Sequence, residues 1–270
     1  MWGTFMLDVY RQQDAPEVRD ALERILGPEE ASGWATGGVY VFWNPETREP
    51  RYIGITGDFP ERFAQHNGLR GSSPQGSKRK KITQYFDAEG ESLGFTVLAL
   101  SSLSQPSTHR QRRVLDLQEP ELIDLNESLS ADVVNEMRAL EGRLIAAHTA
   151  MFGSRPPWNV SAGRRPLLPS DGASGVLGVA VGAFDCLLQA RRTIRALADD
   201  GEACLFEEQL HGVRILMAGG RFTDARFRRM FDTFWGIDDR IRQAIVDSGY
   251  LDHRNPLTAG PVIEGHDVSG

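Results

Sequence analysis

Gly38-Val39-Tyr40-Val41-Phe42-Trp43, then Asn44-Pro45-Glu46-Thr47, then Arg51-Tyr52-Ile53-Gly54-Ile55-Thr56: this stretch decides the fold class. Its two apolar runs are β-branched and aromatic, as strand interiors are. The Asn-Pro segment between them has turn chemistry. An antiparallel hairpin over Val39–Trp43 and Arg51–Thr56 is the expectation. Alternate residues of a strand share a face. Tyr40 with Phe42, and Tyr52 with Gly54, therefore lie on common faces, and a paired register sends both phenols to the same side. Gly38 and Gly54 permit close approach of a ligand or a packed element.

The chain then changes period. Asp58-Phe59-Pro60-Glu61 opens a helix, with Asp58 as N-cap, Glu61 at the third position as in a capping box, and Pro60 tolerated in the first turn. Arg62 and His66, four apart, share one face of it. Upstream, Pro16–Leu26 reads as an amphipathic helix stopped by Gly27-Pro28. Downstream, 68–77 is rich in Gly and Ser, Phe95–Leu100 reads as a third strand, and 103–130 as mixed loop and short helix. Ala131–Ala150 is a long helix whose apolar stripe runs through Val133, Val134, Met137, Leu140, Leu144, Ile145 and His148. Glu141 falls inside that stripe. A carboxylate on a packed face is costly unless paired, hydrogen-bonded or bound to a cation; Glu136, at the edge, is the fallback. Pro156-Pro157 stiffen the approach to Trp158-Asn159.

Segments 176–198, 223–235 and 237–248 look helical, and 213–217 reads as a strand. The expected class is α/β in the α+β sense: a small antiparallel β-sheet flanked by helices, followed by a mainly helical C-terminal region. The expected division is an N-terminal helical arm (1–33), a catalytic domain (34–165), a linker (166–175), a mainly helical accessory domain (176–252) and a tail (253–270).

Composition narrows the setting. The 270 residues have ordinary apolar and charged fractions and suffice for a good core. The best apolar stretch, 175–188, is too short to cross a bilayer and carries Asp185, so no membrane association is expected. The start lacks a basic segment followed by an apolar run, and Cys186 and Cys204 form no metal-type pair. A reducing, cytoplasmic setting fits. Net charge is −7, which argues against binding nucleic acid over the whole surface. The distribution differs: residues 34–165 carry +1, the flanks −4 each, and all three lysines fall in Lys78-Arg79-Lys80-Lys81. Arg110, Arg112 and Arg113, and Arg164 with Arg165, are further basic clusters.

The order Gly-Val-Tyr, Tyr-Ile-Gly, Arg62, His66, a helical Glu141 and a later Asn159 resembles the GIY-YIG nuclease family, which includes homing, restriction and repair endonucleases. The resemblance covers about residues 36–163. It implies a Mg²⁺-dependent endonuclease, with Mn²⁺ as substitute ion, that hydrolyses DNA phosphodiesters. Tyr40 and Tyr52 would then be the active-site hydroxyls. Tyr40 would be the candidate base, its phenol lowered from a free pKa near ~10 by Arg62 or the metal. Arg62 would hold the scissile phosphate, and His66 would position or deprotonate water or relay a proton. Glu141 would bind the metal, and Asn159 would orient the set. Lys78, Arg79, Lys80 and Lys81 would be the nucleic-acid-binding group, with Lys80 or Lys81 on backbone phosphates. A single site cuts one strand, so duplex cleavage needs two copies, a homodimer, or successive events. By analogy the setting is restriction, a mobile element or phage defence. The rivals are a nuclease of the same family acting on RNA or on branched or single-stranded DNA, and a nucleic-acid-binding module without catalysis.

Overall fold

The computed structural model of the chain describes residues 3–27, 34–70, 77–88, 90–101, 123–160, 173–217 and 222–259. The hairpin is there. Strand β2 (Trp34–Trp43) pairs antiparallel with β3 (Pro50–Thr56), Tyr40 opposite Gly54 and Phe42 opposite Tyr52. The other edge of β2 is paired to β4 (Leu93–Ser101), and β4 to β1 (Thr4–Tyr10), so the sheet runs β1-β4-β2-β3, all antiparallel. Strand β1 corrects the reading of residues 1–33 as a helical arm. The amphipathic helix is present as α1 (Ala15–Leu26), burying Val18, Leu22, Ile25 and Leu26, each at spacing three or four. Full burial of such side chains is worth roughly 1.5–3 kcal/mol each.

Helix α2 (Phe59–Asn67) starts where the sequence places it, with the Asp58 carboxylate accepting from the Glu61 N–H at 2.8 Å. Only half of the expected capping box forms. The Asp58 N–H donates to Thr56 Oγ1, and the Glu61 carboxylate accepts from Gln65 and Arg70. Gly68, at φ +73°, closes the helix in the left-handed conformation open to glycine. Beneath α2 the core is aromatic: Phe42, Phe63 and Phe95 meet at centroid distances of 4.8–6.4 Å. Helix α3 (Arg79–Ala88) was not anticipated; it anchors itself by burying Ile82 and Tyr85. Helix α4 (Ile123–Phe152) begins earlier than the expected 131 and packs on β3.

The C-terminal third also departs from expectation in places. Residues 176–198 are not one helix but α5 (Ala173–Ala180), a turn-rich segment, and α6 (Ile194–Asp199). Residues 213–217 are not a strand: 213–216 close α7 (Gly201–Leu216), and Met217 caps it. Helices α8 (Asp224–Thr233) and α9 (Asp239–Asp247) lie where expected. The start of the expected tail is packed. Asn255 is buried, its Nδ2 donating to Ala190 O, and Leu257 O accepts from Arg48. Residues 161–172, with Arg164, Arg165 and most of the expected linker, lie outside the described residues, as do 71–76, 103–122 and 260–270.

One apolar cluster runs through both parts of the chain. The backbone at 188–190 docks on the outer edge of β1: Phe5 N–H donates to Leu188 O, and Ala190 N–H donates to Phe5 O. A buried charged seam reinforces this edge. Arg214, with no exposed surface, donates to Glu207 at 2.8 Å and to Thr4 Oγ1 at 2.9 Å. His211 spans Thr4 and Leu100 O. Arg195 grips the buried Asp8 of β1. Among the described residues no helix is long and apolar enough to cross a membrane.

Candidate active site

Four of the sequence-selected side chains converge on one face of the sheet. The register puts Tyr40 and Tyr52 on the same face, diagonally opposed, with ring centroids 5.8 Å apart. Gly54 explains how two phenols fit. A Cβ there would stand 2.7 Å from Tyr40 Oη and 2.9 Å from Tyr52 Cε1, so the glycine makes room for the rings rather than for a ligand. Gly38 serves packing: a Cβ there would meet Leu98 O and the Phe59 ring.

Helix α2 supplies the rest. Arg62 Nε donates to Tyr40 Oη at 3.2 Å, and its guanidinium is also hydrogen-bonded to Tyr52. Gln65, three residues on, accepts from Arg62 Nη1 at 3.0 Å and steadies the fork. His66 is fully buried, its Nε2 2.8 Å from Tyr40 Oη. The Lys78 backbone N–H donates to His66 Nδ1 at 2.9 Å. A neutral imidazole has one acceptor and one donor nitrogen. With Nδ1 accepting, Nε2 carries the hydrogen and donates to Tyr40. The ring is neutral because burial, then the Arg62 and Lys78 charges, lower its pKa to about 3.

This geometry changes two expected roles. In this arrangement His66 has no free lone pair for water. Its nitrogens are committed to the Lys78 amide and to Tyr40. Nor is the Tyr40 phenol lowered: burial, reinforced by Tyr52, pushes it well above its ordinary value, and Arg62 only partly offsets this. The hydrogen bond to Tyr52 also raises Tyr40, as expected when Tyr40 is the donor. Tyr40 Oη thus accepts from Arg62 and His66 and donates to Tyr52. Tyr40 is 1% exposed, whereas Tyr52 is only partly buried. What the cluster offers beside Tyr40 is donors: the Tyr52 hydroxyl and the Lys78 ammonium, which lies 4.5 Å above the Tyr52 ring. Burial, then Arg62 and Lys81, lower the Lys78 pKa. Inward-facing Lys78 is part of the site itself, while Arg79, Lys80 and Lys81 stand exposed at the start of α3, Arg79 packed against Gly68. The double engagement of Lys78 leaves no trace in the sequence; the Arg62–Gln65 contact follows from helical spacing of three.

Asn159 belongs to the frame. Its side-chain amide makes both backbone hydrogen bonds of Ile53, accepting from N at 3.0 Å and donating to O at 2.8 Å. Trp158 N–H donates to Arg51 O, so the two residues act as a short extra strand on the edge of β3, on either side of Tyr52.

Glu141 is carried by a different element. It is half-buried on α4, and burial raises its pKa, with Arg138 of the same helix pulling the other way. Glu136, the fallback, is exposed. Among the described residues no three His, Cys, Asp or Glu side chains gather into a metal-binding group. Mg²⁺ needs no such cage: one or two carboxylates, waters and a substrate phosphate suffice. A half-buried carboxylate on α4 fits such a one-carboxylate site. The chain matches no family model, no curated protein and no solved structure.

Proposed function

We propose that this chain is a Mg²⁺-dependent endonuclease of the GIY-YIG kind that hydrolyses phosphodiester bonds, with DNA as the favoured substrate. The observation that carries the reading is the cluster in which His66 and Arg62 both meet Tyr40 Oη, with Tyr52 beside them, built on a hairpin and the helix after it. Its outward donors suit a phosphate. Arg62 would hold the scissile phosphate, and donors to a charged acceptor strengthen as charge develops. The Tyr52 hydroxyl and Lys78 would complete that grip. Lys80 and Lys81, exposed one turn away, would follow the backbone.

Tyr40 remains the candidate base. A phenolate there would meet two N–H donors already in place, from Arg62 and His66. Burial holds the proton on in the free protein, so the cation must bring the pKa down. Glu141 would hold the Mg²⁺, which when bound stabilises the leaving oxygen. Asn159, which keeps β3 in register, positions Tyr52 rather than touching substrate. A restriction, mobile-element or phage-defence setting fits such an activity.

The test is plasmid nicking with Mg²⁺ or Mn²⁺ against EDTA. The wild type nicks only with metal, and Arg62→Ala and Glu141→Gln do not nick while keeping the wild-type melting temperature. A wild type that binds DNA yet cuts neither DNA nor RNA, linear or branched, hands the chain to the non-catalytic binding module.

A further inference from the structure

Helix α2 carries a second run of contacts beside the phenols. Arg62 Nη1 donates to Gln65 Oε1 at 3.0 Å, Gln65 Nε2 donates to Glu61 Oε1 at 3.1 Å, and Glu61 Oε2 accepts from Arg70. Chemistry fixes the sense of the Gln65 amide. A guanidinium only donates and an ionised carboxylate only accepts, so the amide oxygen faces Arg62 and the amide nitrogen faces Glu61. Glu61, held also by Arg70, anchors the amide. The backbone beneath is tied down as well. Ser77 Oγ donates to Gln65 O at 3.0 Å, and the Lys78 N–H donates to the ring of His66, the next residue.

Helical spacing of three and four makes position 65 a neighbour of both Arg62 and Glu61. A carboxylate at 65 would fill the same volume and form a charge-assisted contact with Arg62, stronger than the one the amide makes. It would also set a negative charge against any phosphate arriving at that guanidinium, and such like-charge contacts are costly. The amide orients the guanidinium without cancelling its charge.

We infer that Gln65 is a positioning residue for phosphate recognition: anchored on Glu61, it holds the Arg62 guanidinium with an uncharged oxygen, so that the orientation and the positive charge are both kept for a phosphate of the nucleic acid. Gln65 itself does not touch the substrate. This deepens, and rests on, the reading of the tyrosine cluster as a site for nucleic-acid phosphate.

The test is duplex-DNA binding by fluorescence anisotropy over a series of salt concentrations, with plasmid nicking in Mg²⁺ alongside. Gln65→Glu should weaken binding by about tenfold or more and lower the salt slope by ~0.9, the share of one phosphate contact, while melting near the wild type. The exchange Glu61→Gln with Gln65→Glu restores the wild-type net charge but leaves a carboxylate against Arg62, so it should stay as defective as the single variant. Gln65→Leu adds no charge. It should keep the salt slope and lose about tenfold in kcat with little change in KM, because Arg62 is charged but no longer oriented. Wild-type binding by Gln65→Glu overturns the inference. So does recovery of binding in the exchange variant, which would make net charge the cause, or a salt slope lowered equally by Gln65→Leu. A wild type that binds but never cuts defeats the nuclease reading alone, since the binding comparisons still decide the role of Gln65; a wild type that does not bind overturns both.

Discussion

Gly54→Ala isolates the packing logic of the two phenols. Gly54 does not lie at positive φ, so alanine is allowed by the backbone. Through the unfolded chain alone it would stabilise by ~0.4–1 kcal/mol. The new methyl, however, would stand 2.7 Å from Tyr40 Oη, 2.8 Å from its Cζ and 2.9 Å from Tyr52 Cε1. Neither ring can yield freely. Tyr40 is tied to His66 and Arg62, and its ring is buried against Phe42 and Phe95. Overpacking of this kind costs ~1–3 kcal/mol, so the net change is a loss of roughly 1–2 kcal/mol. For a chain of this size that lowers the melting temperature by roughly 2–8 °C. Chemical denaturation with a parallel melt measures it, and nicking reads the site: a displaced Tyr40 leaves His66 and Arg62 without their acceptor, and cutting should fall at least tenfold. A second measurement guards against generic damage. In a Tyr40→Phe background the closest clash is gone, so the same substitution should cost less. A Gly54→Ala protein as stable and as active as wild type would refute the placement of the rings.

Other substitutions probe the remaining parts. Asn159→Ala removes both side-chain bonds to Ile53 and should cost ~1–3 kcal/mol in a urea titration, with a larger loss in kcat than in DNA binding if Tyr52 is misplaced. Cutting should rise with pH through the neutral range, because the Tyr40 phenol is raised and the reactive phenolate is scarce; a flat profile would remove Tyr40 as base. In the folded protein His66 and His211 are both lowered to about 3 by burial, then by neighbouring cations. Below pH 6.5 the unfolded chain takes up protons that the folded one refuses, so stability falls as pH drops from 6.5 towards 3, by about 1.4 kcal/mol per unit for each histidine. His66→Asn should flatten that slope in denaturant titrations. Arg214→Ala, which strands the buried Glu207 carboxylate, should cost ~3–5 kcal/mol, read as a large drop in melting temperature.

The hairpin and α2 were legible because their signals are local. The period of two, the Asn-Pro turn and the Asp58 cap are each complete within a few residues. Those periods set Tyr40 with Tyr52 on one sheet face and Arg62 with His66 on one helix face; the meeting of the two faces was what the family resemblance implied. What escaped depends on distant partners. Strand β1 carries Asp8 in its middle, which reads as a break until Arg195, from the far end of the chain, neutralises it. Helix α7 was hidden because Glu207, His211 and Arg214 occupy its buried face, and the short, largely apolar run Val213-Arg214-Ile215-Leu216-Met217 reads as a strand until tertiary contacts override it. The Tyr40 and His66 pKa directions were illegible for a similar reason. Burial sets them, and burial is a property of the assembled layers.

The docking of 188–190 on β1 bears on how the protein is made. Strand β1 is closed off by backbone synthesised about 180 residues later, a delay of roughly ten to forty seconds at usual translation rates. Through that interval its open hydrogen-bonding rim invites pairing with other nascent chains. Truncated products ending before Leu188 should therefore clump, and a chaperone that shields β1 would raise the soluble yield.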